Sequence, residues 1–224
     1  MKNLLKLLIV VIGFTMTTES YAQTFGVKAG LNLSNMLVED DDDTYSDDFK
    51  VNPGFHVGAT AEFPITELFS FETGLLLSTK GVKASEEETF MGETVKYESK
   101  LNLIYLDIPL TAKASFDLGG ARIYGVFGPY IGMGLSGKSK FEITAMGETE
   151  TEEEDIKLGS DEDEDDVKRL DFGLTMGAGV EISSIQIGLS YGLGLANISP
   201  YTDGGSKISN RVLGISVGYK FGRK

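Results

Sequence analysis

The sequence has no cysteine, no tryptophan, one histidine (His56) and only 5 prolines among 224 residues. Without cysteine there is no disulfide framework, no thiolate zinc site, no iron-sulfur cluster and no cysteine nucleophile. A single histidine leaves no His pair for a metal and one imidazole for a hydrolytic triad. Enzymatic activity is therefore not expected, and the sequence assigns no catalytic, cofactor-binding or metal-ligating residue. Basic residues are also scarce, 20 Lys+Arg against 34 Asp+Glu, for a formal charge of −14. Such an acid excess repels phosphate backbones and excludes nucleic acid as a partner.

The N-terminus reads as a cleaved secretory signal over residues 1–22. Lys2 and Lys6 give a positive start, Leu7 to Phe14 continue an apolar run, and Ser20-Tyr21-Ala22 supply small residues before a cut at Gln23. The run is shorter than the roughly 20 residues of a spanning helix. Removal of Lys2, Lys6 and Glu19 changes the charge by −2 + 1, so the mature chain carries −15. Beyond residue 22 no stretch of 18 apolar residues follows, which excludes a helical span.

Glycine is abundant: 28 residues, against the roughly 16 that an average usage of about 7% would give. The glycines sit inside period-two patterns, the mark of strands with two different faces. Eight such stretches occur: Thr24 to Ser34, Gly54 to Phe63, Leu68 to Thr79, Lys100 to Ala114, Arg122 to Gly137, Leu170 to Ile182, Ile185 to Asn197 and Arg211 to Phe221. The sixth is the cleanest. Leu170, Phe172, Leu174, Met176, Ala178, Val180 and Ile182 alternate with Asp171, Gly173, Thr175, Gly177, Gly179 and Glu181. The fifth has apolar and aromatic residues on both sides, so its facing stays open.

Connections alternate in length. Those after the second, fourth and sixth stretches are short (Pro64 to Glu67, Ser115 to Ala121, Ser183-Ser184), whereas 35–53, 80–99, 138–169 and 198–210 are long and polar. In an up-and-down antiparallel order all long loops emerge at one end. Short turns at one end, long loops at the other and apolar residues on one face predict an all-β protein, an eight-stranded antiparallel up-and-down transmembrane β-barrel over residues 23–224. The expected location is the outer membrane of a Gram-negative cell, with periplasmic termini and extracellular acidic loops. A lipocalin-like barrel would bury its apolar side chains instead, but the opposite face here is glycine, serine and charge. Closure follows from backbone hydrogen bonding, since an unpaired N–H or C=O in hydrocarbon costs several kcal/mol. Eight strands leave an interior that side chains fill.

Several motifs carry a family resemblance: Tyr105-Leu106-Asp107-Ile108-Pro109, Gly128-Pro129-Tyr130, Asp171-Phe172-Gly173 with Gly177-Ala178-Gly179-Val180-Glu181, Gly194-Leu195 with Asn197-Ile198, and the closing Tyr219-Lys220-Phe221. On these the chain resembles the PorT-type outer-membrane β-barrel family of Gram-negative bacteria. The resemblance implies fold and location. It also implies a possible role in a protein-secretion machine, with which one branch of that family is associated.

Acids concentrate in three of the long loops: seven in Glu39 to Asp48, five in Glu86 to Glu98 and twelve in Glu148 to Asp166. A solvated charge run is the leading reading, with weakly bound divalent cations or contact with lipopolysaccharide and other envelope proteins as functional alternatives. Neither Asp40 to Asp43 nor Asp161 to Asp166 opens an EF-hand, because Tyr45 and Asp166 stand at the sixth position. His56 is expected to face the lumen as a hydrogen-bonded interior histidine.

Lys28, Lys113, Arg122 and Lys220 are expected near the short-turn rim with Glu62, Glu72 and Glu181, as an ion-pair network. Phe25, Phe63, Phe69, Tyr219 and Phe221 should cluster at the same end as an interfacial girdle. A turn centred near residue 119 would set Pro109 opposite Pro129, with a bulge or gap between the two strands.

Overall fold

The computed structural model describes residues 23–40, 49–90, 93–201 and 205–221. The signal segment 1–22 and the acidic stretch 41–48 lie outside the described residues. Nine strands follow in chain order: β1 (Thr24–Glu39), β2 (Asn52–Pro64), β3 (Phe69–Phe90), β4 (Glu93–Asp117), β5 (Arg122–Ala145), β6 (Glu148–Asp155), β7 (Leu170–Ile182), β8 (Ile185–Gly194) and β9 (Lys207–Lys220). Every pairing between these strands is antiparallel.

Eight of them close a ring in the order β4-β3-β2-β1-β9-β8-β7-β5, sealed by β4 against β5. β6 stands outside the ring and pairs only with the outer part of β5, from Lys138↔Asp155 to Ala145↔Glu148. The expected eight-stranded closure is thus present, with a ninth strand that the charge run hid: in ETETEEED every side chain is exposed, so no apolar alternation marks it.

Two of the expected loops are largely strand. β3 and β4 pair without a break from Leu76↔Asp107 to Phe90↔Glu93, and β5 and β6 turn at Met146-Gly147, so segments 80–99 and 138–155 form a projecting sheet of order β3-β4-β5-β6. Met146 (φ 52°) and Gly147 (φ 85°) both adopt left-handed conformations, the backbone of a two-residue hairpin turn. β3, β4 and β5 contain 22, 25 and 24 residues. About 9–11 tilted residues cross a bilayer's apolar core, so the excess builds this projection.

Apolar side chains point away from the ring axis. Phe172, Met176 and Leu189 are half exposed, whereas Lys113, Asp171 and Glu181 are buried inside. The facing of β5 resolves the same way: Ile123, Phe127, Ile131 and Met133 lie outside, Tyr124 and Tyr130 inside. The short connections 65–68, 118–121 and Ser183-Ser184 share one end with Thr24 and Lys220. Phe25, Phe69, Tyr219 and Phe221 are exposed at that end, and the Tyr219 and Phe221 rings meet edge to face at 5.4 Å.

The proline register is off by one residue. Pro109 pairs with Tyr130, not with Pro129, which instead lies beside Leu174 of β7. The β4–β5 ladder still breaks here: its pairs stop at Pro109↔Tyr130 and resume at Ala112↔Phe127, and a separate register shift falls at Ile104/Tyr105. Proline donates no ladder hydrogen bond, which accounts for the gap; the one-residue offset comes from the turn itself, which is centred between residues 119 and 120, as Asp117↔Arg122 shows, and not on residue 119.

Candidate functional site

The barrel interior is layered. Nearest the short turns lies a charge network. Lys113 Nζ, fully buried, donates to Glu181 Oε1 at 2.6 Å and to Glu62 Oε2 and Glu72 Oε2 at 3.1 Å. Lys220 donates to Glu181 at 2.6 Å and also contacts Glu62, and Lys28 donates to Glu72 Oε1 at 2.9 Å. Three ammonium groups meet three carboxylates, so the layer is neutral, which is the condition for keeping charges inside a protein. Gln186 Nε2 donates to Glu181 at 2.6 Å and Ser70 Oγ to Glu62 at 2.9 Å. The Lys113 ammonium also sits 4.3 Å from the Tyr124 ring centre.

Six of the seven expected residues assemble. Arg122 does not: it reaches Asp117 at 3.2 Å across the exposed 118–121 turn. An arginine at a strand end finds a nearer carboxylate in its own turn than in the lumen.

Above this layer lies a cavity of about 140 Å³, lined among others by Lys28, Asn32, His56, Ser78 and Tyr124. The Asn32 amide nitrogen donates to the carbonyls of Phe55 (3.1 Å) and Thr79 (2.9 Å) and to Ser78 Oγ (3.0 Å). That fixes the Asn32 oxygen toward His56 Nδ1 at 2.7 Å. An amide oxygen only accepts, so Nδ1 carries the proton. His56 is buried, and its Nδ1 partner is an amide rather than a carboxylate. Gly30 makes room for the ring, since a Cβ there would stand 2.6 Å from His56 Cε1.

The next layer leaves no mark in the sequence pattern. Lys80 Nζ donates to Asp107 Oδ1 and Asp171 Oδ2, both at 2.9 Å, and lies 4.4 and 4.7 Å from the ring centres of Tyr130 and Tyr105. Asp171 Oδ2 also accepts from Asn210 Nδ2 (3.0 Å) and the Tyr130 hydroxyl (3.2 Å). Asp107 and Asp171 stand on the expected inner faces, whereas Lys80 falls within the segment 80–99 that reads as a loop in the sequence.

At the long-loop end Met36, Leu103, Tyr105, Leu158, Val167, Ala196 and Ile198 form a buried apolar cluster. Residues 156–169 fold inward to supply part of it. Arg169 Nη2 donates to the Leu158 carbonyl at 2.6 Å, Gly134 N to the Arg169 carbonyl at 2.7 Å, and Lys168 N to the Ile198 carbonyl at 2.7 Å.

Outside the ring, the acids of the projecting sheet have cationic neighbours. Glu98 is ion-paired with Lys100 (2.6 Å), Lys83 (2.8 Å) and Lys96 (3.4 Å), and Lys140 pairs with Glu142 at 3.0 Å. The Lys100 and Lys83 hydrogen bonds hold the Glu98 carboxyl at about 2, below its ordinary 4.5. In the 161–166 run, carboxylates cap their own backbone: Asp166 accepts from Lys157 N, Asp165 from Asp161 N and Asp161 from Asp163 N. Among the described residues no three His, Asp or Glu side chains converge as a metal site.

A family model described as outer membrane protein beta-barrel domain matches residues 21–199. No curated protein matches the chain. Similar solved structures include Ail, the attachment invasion locus protein of Yersinia pestis, at 17% identity with a TM-score of 0.33, covering 89% of this chain and 99% of that one. The Neisserial surface protein A is 12% identical (TM-score 0.36; 89% and 99% covered). The outer membrane protein OprG of Pseudomonas aeruginosa is 13% identical (TM-score 0.40; 89% and 96% covered).

Proposed function

Because this chain belongs to the outer membrane protein beta-barrel domain family, we propose that it works there as a closed, non-enzymatic transmembrane barrel whose projecting acidic sheet is its contact surface. The observation that carries this reading is the lumen, filled by the Lys113 network toward the short turns and by the Met36–Ile198 apolar cluster toward the long loops. Between them lies a cavity of about 140 Å³. Termini in the periplasm and the sheet outside the cell follow from the usual layout of such barrels, with short periplasmic turns and long outer loops. The surface would meet lipopolysaccharide or another envelope protein, with divalent cations held diffusely among its carboxylates.

The competing reading is a narrow cation-conducting channel, favoured by the carboxylates that line the lumen. Planar-bilayer recording separates the two. A closed barrel gives no steady current, whereas a sustained cation-selective current would overturn the proposal. Membership of the PorT-type family, and of the branch of it associated with a secretion machine, is a narrower proposal tested by co-purification from detergent-solubilised outer membranes.

A further inference from the structure

We infer that Asp107, Asp171, Tyr105 and Tyr130 form a cation-binding box inside the barrel whose resident is the protein's own Lys80 ammonium, and that a small primary ammonium ion occupies it when that lysine is removed. The walls come from β4, β5 and β7, and the occupant enters from β3, so the box does not depend on the lysine for its construction. Two carboxylate oxygens lie at 2.9 Å from the nitrogen and two aromatic faces within 4.7 Å. This is the combination that recognises a desolvated ammonium: charge-assisted acceptors for its N–H bonds and ring faces for its remaining charge.

Two further observations mark the box as a site rather than a chance ion pair. Asp171 is completely buried, yet its Oδ1 has no hydrogen-bond partner among the described residues. Two carboxylates also face one ammonium, leaving the box with an acceptor in reserve. Backbone close by is shaped to the pair: a Cβ on Gly132 would stand 2.6 Å from Asp107 Oδ1 and 3.4 Å from Lys80 Nζ. The geometry selects for N–H donors, since a quaternary ammonium cannot donate to the two aspartates.

This goes beyond the closed-lumen reading, and the two fail separately: a conducting wild-type barrel would overturn that reading and leave the box untouched. The test uses the full mature chain with Lys80→Ala, refolded in detergent with methylammonium chloride or, at equal ionic strength, tetramethylammonium chloride. Methylammonium is expected to raise the folding equilibrium constant of Lys80→Ala about 11-fold at ten times its dissociation constant. Tetramethylammonium should have no such effect, and wild type should not distinguish the two salts. If Lys80→Ala refolds poorly, the refolded fraction in each salt is the readout. Adding Asp171→Asn is expected to abolish the response. Equal responses to both salts, a wild-type response of the same size, or a response that survives Asp171→Asn would overturn the inference.

Discussion

Lys113 and Glu181, 68 residues apart in sequence and on strands β4 and β7, meet inside the barrel at 2.6 Å with the lysine fully buried. Neither strand pairs with the other; β5 lies between them. The contact therefore reaches over β5 on the lumen side and ties non-neighbouring strands together. Removing one member leaves a buried charge short of its counter-ion, which typically costs about 3–5 kcal/mol. Glu181→Leu takes one carboxylate from both Lys113 and Lys220, leaving three ammonium groups to two carboxylates, and is expected to lower the urea midpoint of the barrel in detergent accordingly. Unchanged unfolding would remove Glu181 from the network.

Lys113→Met should be comparably destabilising, because Glu62, Glu72 and Glu181 then share only Lys28 and Lys220. The double variant Lys113→Met/Glu181→Leu restores neutrality with apolar volume and is expected to be more stable than either single variant. Additive losses in a double-mutant cycle would contradict the coupling.

Glu98 gives the projecting sheet a pH dependence. Its folded-state carboxyl is depressed, so the stabilisation is complete above the unfolded value of 4.5 and is lost as pH falls from there through about 2. Hydrogen exchange of the β3 and β4 amides beyond the ring should quicken over that window while the ring amides hold. Glu98→Gln should flatten this profile. An identical profile in Glu98→Gln would assign the effect elsewhere.

Tyr124 occupies space that two glycines leave. A Cβ at Gly188 would stand 2.5 Å from the Tyr124 hydroxyl and at least 3.4 Å from everything else, whereas one at Gly179 would also stand 2.3 Å from the Ile187 carbonyl. Each Ala substitution is expected to destabilise by about 1–3 kcal/mol. Tyr124→Phe should recover most of the loss for Gly188→Ala and little of it for Gly179→Ala, as read by denaturant titration. Equal recovery would show that the backbone yields at both sites.

The ring and its lower charge layer were legible because short turns fix the register. Counting from Ser183-Ser184 or residues 65–68 places Glu181, Lys220, Glu62 and Glu72 on the inner face at one level. The turn after β4 was less legible: its centre lies between residues 119 and 120, so the proline pair is off by one residue, and Arg122 is drawn off by Asp117, a partner inside that turn. Lys80 was missed because the strand carrying it continues into a polar, charged segment that reads as a loop. β6 was missed for the same reason. Strand pairing there rests on backbone hydrogen bonds and cross-strand ion pairs such as Lys83–Glu98, which leave no hydrophobic period in the sequence.

The orientation of the wall underlies every role assigned above, and the absence of tryptophan makes it measurable with one reporter at a time. Phe172→Trp and Leu189→Trp on the outer face, and Tyr124→Trp in the lumen, are to be reconstituted into bilayers whose acyl chains carry bromine. Strong quenching of the first two and none of the third is the expected result. Quenching of the Tyr124→Trp reporter together with protection of Phe172→Trp would contradict an apolar exterior around a filled polar lumen.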